Sequence, residues 1–316
     1  MNSVRYEQDP ANIVTLTFDA PGAAVNTMTP EWQRALTEAV DRIVADKEKI
    51  RGVILASAKS TFFAGAELKD VVKLKASDAP RVFHEIEATK RNFRRLETMG
   101  KPVVAAINGT ALGGGFEVAL AAHYRVCIDD AKIQLGFPEV TLGLLPGATG
   151  VTKMVRLLGL TEAMPYLMEG KALSPQDAMK LGLVHELARD AADLVGRAAA
   201  FIHAHGEAMQ PWDDKNYRMP GGGPMSPKIS QALAAAPAML RAKTRGLYPA
   251  PEAIMACMVE GAEVDFDTAL RIESRYLAAL AVGQVAKNMV TAFFFQPERN
   301  QDRRRPSQRR AQGKVR

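Results

Sequence analysis

The chain has 316 residues, of which 47% are hydrophobic and 24% are charged, a balance typical of an ordinary globular protein. At this length, one large domain or two smaller ones are expected. No run of about 18 apolar residues occurs, so we expect no transmembrane helix, and the first residues, MNSVRYEQDP, lack the apolar stretch of a secretory signal. The two cysteines lie far apart in sequence, which argues against a disulfide framework and predicts a cytoplasmic location.

The formal net charge of +6 comes from the C-terminal tail, residues 298–316. This tail carries eight Lys or Arg and two Asp or Glu, which leaves 33 of the 41 basic and 33 of the 35 acidic residues for the rest of the chain. It has no apolar periodicity, and we predict that it is disordered. A solvated terminus is the favoured interpretation. The alternative is that the basic tail binds an acidic partner, and nucleic acid is not expected as a partner.

Strands and helices alternate in the first half of the chain, which predicts an α/β layer architecture. Thr29 is suited to cap a helix because Pro30 follows it at the first helical position. Apolar spacing and turn residues indicate the strands and helices of this half. The predicted strands are residues 12–18, 51–57, 102–107 and 124–128, and the predicted helices are residues 30–45 and 80–99.

The second half of the chain is predicted to be mainly helical. Ser174 is a plausible cap for a helix that has Pro175 in its first turn, and Asp177 complements the helix dipole there. Residues 205–228 are rich in Gly and Pro and predict a long loop. A helical block over residues 251–295 has apolar faces wide enough to need a partner surface.

A glycine-rich loop, NGTALGGGFE, joins the strand at 102–107 to an apolar helix and ends in a glutamate, Glu117. A phosphate-binding P-loop would need Gly-Lys-Ser/Thr, which is missing. A dinucleotide-binding loop read from Gly113 and Gly115 would need glycine at position 118, where Val118 stands. What remains is a loop whose backbone N–H groups at a helix start can hold an oxyanion.

Two further segments carry similar features. FFAGAELKD places Gly65 and Ala66 before another helix start, and GFPEVTLGLLPGATG places Glu139 in a glycine-rich, irregular stretch. Glu117 and Glu139 are therefore candidates for a facing acid and base. Taken singly, each also has a structural interpretation, with Glu117 complementing a helix dipole and Glu139 acting as a surface acid.

These three segments, followed by LSPQDAMKLGLV, resemble the enoyl-CoA hydratase (crotonase) family in their order and spacing, over about residues 10–190. The resemblance implies an α/β fold, a crotonase-type spiral of ββα units with a C-terminal helical region, and an acyl-CoA thioester substrate. It implies that the N–H groups of Ala66 and Gly114 form the oxyanion hole. It also implies that Glu117 activates water and that Glu139 protonates the α-carbon.

The same resemblance implies where CoA binds and which cofactors are needed. Phe63, Ala64 and Gly65 are expected beside the adenine, and Lys69 is a candidate phosphate contact that is also readily explained as a solvated lysine. The CoA thioester is the substrate, and no metal, flavin or nicotinamide is expected. The implied activity is hydration of 2-enoyl-CoA, with isomerisation of the double bond as a further expectation.

Residues 263–295 resemble the linker helix of multifunctional fatty-acid oxidation proteins. In those proteins a dehydrogenase domain follows, so we expect this chain to correspond to the hydratase part and to lack dehydrogenase activity. We predict a crotonase core over 1–190, a helical region over 191–297 and the tail over 298–316. The expected partners are further copies of the chain or subunits of a fatty-acid oxidation complex. The alternative is a non-catalytic assembly module.

Overall fold

The computed structural model describes residues 3–296, so the tail predicted at 298–316 lies outside the described residues. Eight strands are present in this part of the chain. They are β1 (Val4–Gln8), β2 (Ile13–Phe18), β3 (Gly52–Ser57), β4 (Val103–Ile107), β5 (Ala111–Leu112), β6 (Tyr124–Ile128), β7 (Leu135–Gly136) and β8 (Glu186–Ala188).

Twelve α-helices accompany these strands within residues 3–296, and the last of them continues as a π-helix over Val290–Phe295. The helices are α1 (Pro30–Ala45), α2 (Leu68–Val71), α3 (Ala79–Glu97), α4 (Gly114–Leu120), α5 (Gly150–Leu158), α6 (Leu160–Met168), α7 (Pro175–Lys180), α8 (Ala191–Ala204), α9 (Pro227–Thr244), α10 (Pro249–Ala262), α11 (Phe266–Ala281) and α12 (Gln284–Met289).

A six-stranded sheet in the order β1-β2-β3-β4-β6-β8 forms the centre of the fold. Strand β1 is antiparallel to β2, and the other neighbouring pairs are parallel. The central strands are apolar on both faces because helices cover both sides. In β4, for example, Val103, Ala105 and Ile107 join the large core, whereas Val104 and Ala106 pack toward α8.

The predicted helix caps in both halves of the chain are confirmed. Thr29 Oγ1 accepts a hydrogen bond from Trp32 N at 3.1 Å and caps α1, and Ser174 Oγ accepts from Asp177 N at 3.1 Å and caps α7. The short strands β1, β5, β7 and β8 and the helix α9 were not predicted. The expected domain boundary at residue 190 falls just before α8, which packs on the same sheet through Leu194.

The C-terminal helices α10 and α11 pack against α3 and α5. A buried ion pair between Lys90 of α3 and Glu273 of α11 joins this region to the core. Lys153 of α5 forms a fully buried ion pair with Glu97 of α3. Arg94 contacts Glu97 at 2.7 Å and reaches Asp213 at 2.8 Å in the segment before α9. The C-terminal region is thus integrated with the helices that surround the sheet.

Within residues 3–296, a single helix long and apolar enough to cross a membrane is not found; α11 and the helical stretch Gln284–Phe295 reach that length together but are bent by 63°. Cys127 and Cys257 are both buried and unpaired. The cytoplasmic location inferred from cysteine usage stays a prediction.

Candidate active site

The three loops singled out in the sequence meet at one cavity of about 480 Å³. Its walls include Ala66 from the loop before α2, Gly114 and Glu117 from α4, and Glu139 from the turn after β7. The parallel pairing of β5 with β7 brings the second and third loops side by side. Four residues that are distant in sequence therefore line a single site.

Close backbone packing joins the Ala66 loop to the start of α4. A Cβ atom added at Gly115 would lie 2.0 Å from Phe63 O, and one added at Gly65 would lie 3.4 Å from Gly114 N. Within residues 3–296, the N–H groups of Ala66 and Gly114 donate to no protein acceptor. Two free donors from two touching loops thus border the same cavity, an arrangement that can stabilise an oxyanion.

Gly113 shapes the turn that aims these groups. Its φ of +56° lies in the region that favours glycine, and its carbonyl accepts from the N–H of Glu117 at 3.1 Å as α4 begins. A Cβ atom at this position would also lie 2.5 Å from Glu139 Oε1. A side chain at residue 113 would therefore both strain the turn and displace the second glutamate.

Glu117 is buried and is held by the turn that precedes α5. Its Oε1 accepts hydrogen bonds from Ala148 N at 2.7 Å and from Gly150 N at 2.6 Å. Burial and the nearby Glu273 raise the pKa of Glu117 to about 8, although the two N–H groups and Lys90 act in the opposite direction. This carboxyl can therefore exchange a proton near neutral pH.

Glu139 has a contrasting environment in the 3₁₀ turn Pro138–Leu142. Its Oε2 is buried and has no hydrogen-bond partner among the described residues. Burial, and then the negative charge of Glu117, raise the pKa of Glu139 well above its usual range. The two glutamates thus form a coupled pair in which Glu139 favours the proton.

Apolar side chains from three elements surround the remainder of the cavity. Helix α3 supplies Val82 and Ile86, the turn after Glu139 supplies Leu144, and α11 supplies Leu277 and Ala281. An apolar compartment beside a pair of carboxyls is suited to a hydrocarbon chain that carries a reactive carbonyl at one end. The C-terminal helical region contributes directly to this wall.

The residues expected to contact CoA are dispersed. The Phe63 ring is fully buried, with its centroid 5.1 Å from that of Trp32 and 5.5 Å from that of Phe18. Ala64 is exposed, Gly65 is buried, and Lys69 is exposed on α2 and outside the cavity-lining set. Their roles in binding CoA stay predictions.

Sequence reasoning missed the groups that hold Glu117. Residues 147–150 belong to the segment that was singled out for Glu139, whereas two of their N–H groups, those of Ala148 and Gly150, donate to Glu117. The glycines just before an apolar helix were the available signal, because unpaired N–H groups at a helix start attract anions. Glu273 and Ser274, polar residues buried within α11, were also missed.

Within residues 3–296, a cluster of three or more His, Cys, Asp or Glu side chains able to hold a metal ion is not found. His123 and His185 accept hydrogen bonds from the backbone N–H groups of Val103 and Arg125 through Nδ1, at 3.1 Å each. These two histidines therefore serve the packing of β4 and β6.

The chain belongs to the enoyl-CoA hydratase/isomerase family, because the sequence profile of that family matches residues 8–208. The fold is accordingly the crotonase fold, with the mixed sheet and surrounding helices described above.

Curated relatives carry the name fatty acid oxidation complex subunit alpha. The protein of that name from Shewanella loihica is 35% identical over 289 residues, which cover 89% of this chain and 39% of the relative. The one from Shewanella frigidimarina is 33% identical over 294 residues, with the same coverage. The chain thus spans about two fifths of the length of these relatives.

Solved structures of enoyl-CoA hydratases share the fold. The Bacillus halodurans enzyme superimposes with a TM-score of 0.63 at 22% identity, covering 92% of this chain and all of that one. The Polaromonas enzyme, at 28% identity, gives a TM-score of 0.57 and covers 64% of this chain and 76% of its own. At 22% identity, the likeness to the Bacillus halodurans enzyme shows a shared fold and nothing more.

Proposed function

We propose that the protein hydrates 2-enoyl-CoA thioesters to 3-hydroxyacyl-CoA in fatty-acid oxidation. The observation that carries this proposal is the pair of buried carboxyls, Glu117 and Glu139, facing one cavity with two free backbone N–H groups. Family membership and the names of the curated relatives support the substrate class.

The first step requires the thioester carbonyl to accept negative charge. In our proposal the carbonyl oxygen accepts hydrogen bonds from the N–H groups of Ala66 and Gly114, which have no competing acceptor among the described residues. Fixed donors in a site that excludes water stabilise the enolate, and losing one such donor typically costs about 100-fold to 1,000-fold in rate. The conjugated double bond thereby becomes electrophilic at the β-carbon.

The two glutamates then supply and remove protons. Ionised Glu117 orients a water and takes one of its protons as the oxygen bonds to the β-carbon, and protonated Glu139 gives its proton to the α-carbon. The product gains one water, and the pair as a whole keeps one proton. We propose syn addition, with both glutamates acting on the same face of the double bond. No metal or redox cofactor takes part in this scheme.

The assay for this proposal is the loss of conjugated-thioester absorbance when the protein is mixed with 2-enoyl-CoA of increasing chain length. We expect turnover, with a 3-hydroxyacyl-CoA product identified by mass. Absence of turnover for every chain length from crotonyl-CoA to hexadecenoyl-CoA would contradict the proposal. Added NAD should remain oxidised, because hydration transfers no hydride and we propose no dehydrogenase step.

Isomerisation of 3-enoyl-CoA to 2-enoyl-CoA is a second candidate activity. It requires one group to remove a proton from the α-carbon and to return it to the γ-carbon. The unpartnered Glu139 Oε2 favours this candidate, because a carboxyl oxygen without a competing partner can take the proton from the α-carbon and return it to the γ-carbon. Appearance of conjugated absorbance from 3-enoyl-CoA tests it, and unchanged absorbance would contradict it.

We also propose assembly with further copies of the chain or with subunits of a fatty-acid oxidation complex. Exposed Phe293 and Phe294 near the end of the described chain, at 63% and 41% exposure, support this proposal because large apolar groups of this kind favour burial against a partner. Sedimentation over a range of concentrations tests self-assembly, which a monomer at every concentration would contradict.

A further inference from the structure

A carboxylate of α11 is buried beside the start of α5. Glu273 is fully buried, and its Oε2 accepts a hydrogen bond from Thr152 N at 2.8 Å. Its Oε1 lies 2.8 Å from Nζ of Lys90 in α3, and that Nζ also donates to Leu270 O at 2.6 Å. The buried ion pair therefore joins α3 to α11, and the hydrogen bond from Thr152 N connects Glu273 to α5.

Glu273 and Glu117 bind the same end of the same helix. The N–H of Gly150 donates to Glu117 at 2.6 Å, and the N–H of Thr152, two residues further on, donates to Glu273 at 2.8 Å. The first N–H groups of a helix have no partner within it and carry partial positive charge. Two carboxylates from opposite sides thus share the N-terminal turn of α5.

A second contact from α11 fixes the other end of this segment. Leu277, one helical turn after Glu273, packs so closely on Gly147 that a Cβ atom added there would lie 2.2 Å from Leu277 Cδ2. The adjacent residue, Ala148, provides the other N–H that holds Glu117. Helix α11 therefore contacts the segment 147–152 at both of its ends.

We propose that Glu273 is a positioning residue for Glu117, and that the buried Lys90–Glu273 pair sets the charge environment in which Glu117 exchanges its proton. Glu273 fixes the start of α5 and does not touch the cavity. The proposal rests on the proposed hydration, because it assigns Glu273 its effect through the carboxyl that activates water.

Four charged groups act on Glu117 from the surrounding elements. They are Glu139 in the turn after β7, Glu273 on α11, Lys90 on α3 and Lys153 on α5. Lys153 is already paired with Glu97. Besides burial, Glu273 raises the pKa of Glu117 and Lys90 lowers it. A change in either partner of the Lys90–Glu273 pair should consequently displace the titration of Glu117 in a direction set by the charge removed.

Opposite single substitutions test this effect through the pH profile of hydration. Glu273→Gln keeps an acceptor for Thr152 N but removes a negative charge and leaves Lys90 unpaired, so the profile should move to lower pH by about one unit. Lys90→Gln removes the positive charge and should move the profile to higher pH. Because the two shifts have opposite signs, either variant alone suffices if the other fails to fold.

The double variant Lys90→Gln/Glu273→Gln removes both charges together, and its profile should return close to that of the wild type. Ser274→Ala is the matched control, because buried Ser274 is adjacent on α11 and donates to Glu87 Oε1 at 2.5 Å. The control should lower thermal stability and leave the pH profile in place. A purely structural role for Glu273 would lower stability and rate in the variants without opposite displacements, and that outcome overturns the proposal.

An infrared titration separates this proposal from the proposed function. The protonated-carboxyl band that disappears in Glu117→Gln reports the titration of Glu117 without any substrate. We expect Glu273→Gln to move this titration to lower pH, and an unmoved titration overturns the inference. If the band moves while the wild type fails to hydrate any enoyl-CoA, the hydration proposal fails and the charge coupling stands.

Discussion

The turns that hold the two glutamates differ in what they provide. The turn before α5 gives Glu117 two backbone donors, whereas the 3₁₀ turn Pro138–Leu142 leaves Glu139 Oε2 without a partner. Hydrogen bonds from N–H groups favour the ionised form, and burial without partners favours the neutral form. Two identical side chains are therefore prepared for opposite tasks, one as a base held in place and the other as an acid.

Replacing either glutamate by glutamine should have the largest effect on the rate of hydration, because it removes one of these two tasks. Glu117→Gln and Glu139→Gln should each lower kcat for hydration by about 1,000-fold, since each removes one proton-transfer group. The measurement is single-turnover and steady-state hydration of crotonyl-CoA. Glutamine at position 117 can still accept from Ala148 N and Gly150 N, so we expect that variant to keep the fold of the turn.

Thermal unfolding and circular dichroism provide the control for these variants, which should unfold at or above the wild-type temperature. Replacing a buried carboxyl by a neutral amide reduces the cost of burial. A rate above one tenth of the wild-type rate in either variant would contradict the assignment of that glutamate. Full activity in Glu139→Gln alone would leave Glu117 as the sole acid and base.

A methyl group added beside each glutamate tests how accurately its carboxyl must be placed. We expect a smaller effect on the rate than from the amide substitutions. Gly150→Ala places a Cβ atom 2.8 Å from Glu117 Oε1, and Gly113→Ala places one 2.5 Å from Glu139 Oε1. Displacement of a reacting group by about 1 Å can cost about 100-fold in rate, so we expect losses of up to that size in kcat. The measurement is hydration kinetics with each variant.

The two methyl variants should differ in stability. Gly113 has a φ of +56°, so alanine there also strains the backbone, whereas the Gly150 substitution adds a clash without that strain. Gly100→Ala is the matched control, because Gly100 has a φ of +84° and an added Cβ would meet nothing within 4 Å. This control should lose stability and keep its activity. Equal rates for Gly113→Ala and Gly100→Ala would contradict the role of the Glu139 contact.

Four positions of the cavity were predicted from the sequence, Glu117 and Glu139 from local patterns and Ala66 and Gly114 from the resemblance to the hydratase family. Gly114 and Ala66 lie in small-residue loops at helix starts, and Glu117 and Glu139 follow glycine or proline at fixed places in those loops. The major strands and α1 and α3 were likewise predicted from periodicity and capping.

The supports of the site could not be predicted from local patterns. Ala148 N and Gly150 N reach Glu117 across about 30 residues, and Thr152 N reaches Glu273 across 121 residues. These contacts depend on how α5 and α11 pack, which no single segment encodes. The burial of the Phe63 ring between Trp32 and Phe18 likewise depends on tertiary packing, and the expected CoA contact of this residue stays a prediction.

The smallest expected effect is a pH dependence of stability. The pKa of Glu117 is raised to about 8 in the folded state from an ordinary value of 4.5, so the folded protein binds more protons than the unfolded chain between these values. The contribution of Glu117 to the free energy of unfolding is therefore fully present below pH 4.5 and is lost as the pH rises through 8. Between pH 7 and 8 the free energy of unfolding should fall by up to about 1.4 kcal/mol for each such carboxyl.

Denaturant unfolding of the wild type and of Glu117→Gln at pH 7 and pH 8 tests this dependence. The variant lacks the titrating group, so its stability should fall less than that of the wild type over this interval. Burial lowers the pKa of His123 to about 4 and that of His185 to about 3, and both contribute equally in the two proteins. The difference between the two proteins therefore reports the coupled pair Glu117 and Glu139, because the charge of Glu117 also raises the pKa of Glu139. Identical slopes would mean that Glu117 is already ionised at pH 7, and the two turns would then hold carboxyls of opposite charge state before any substrate binds.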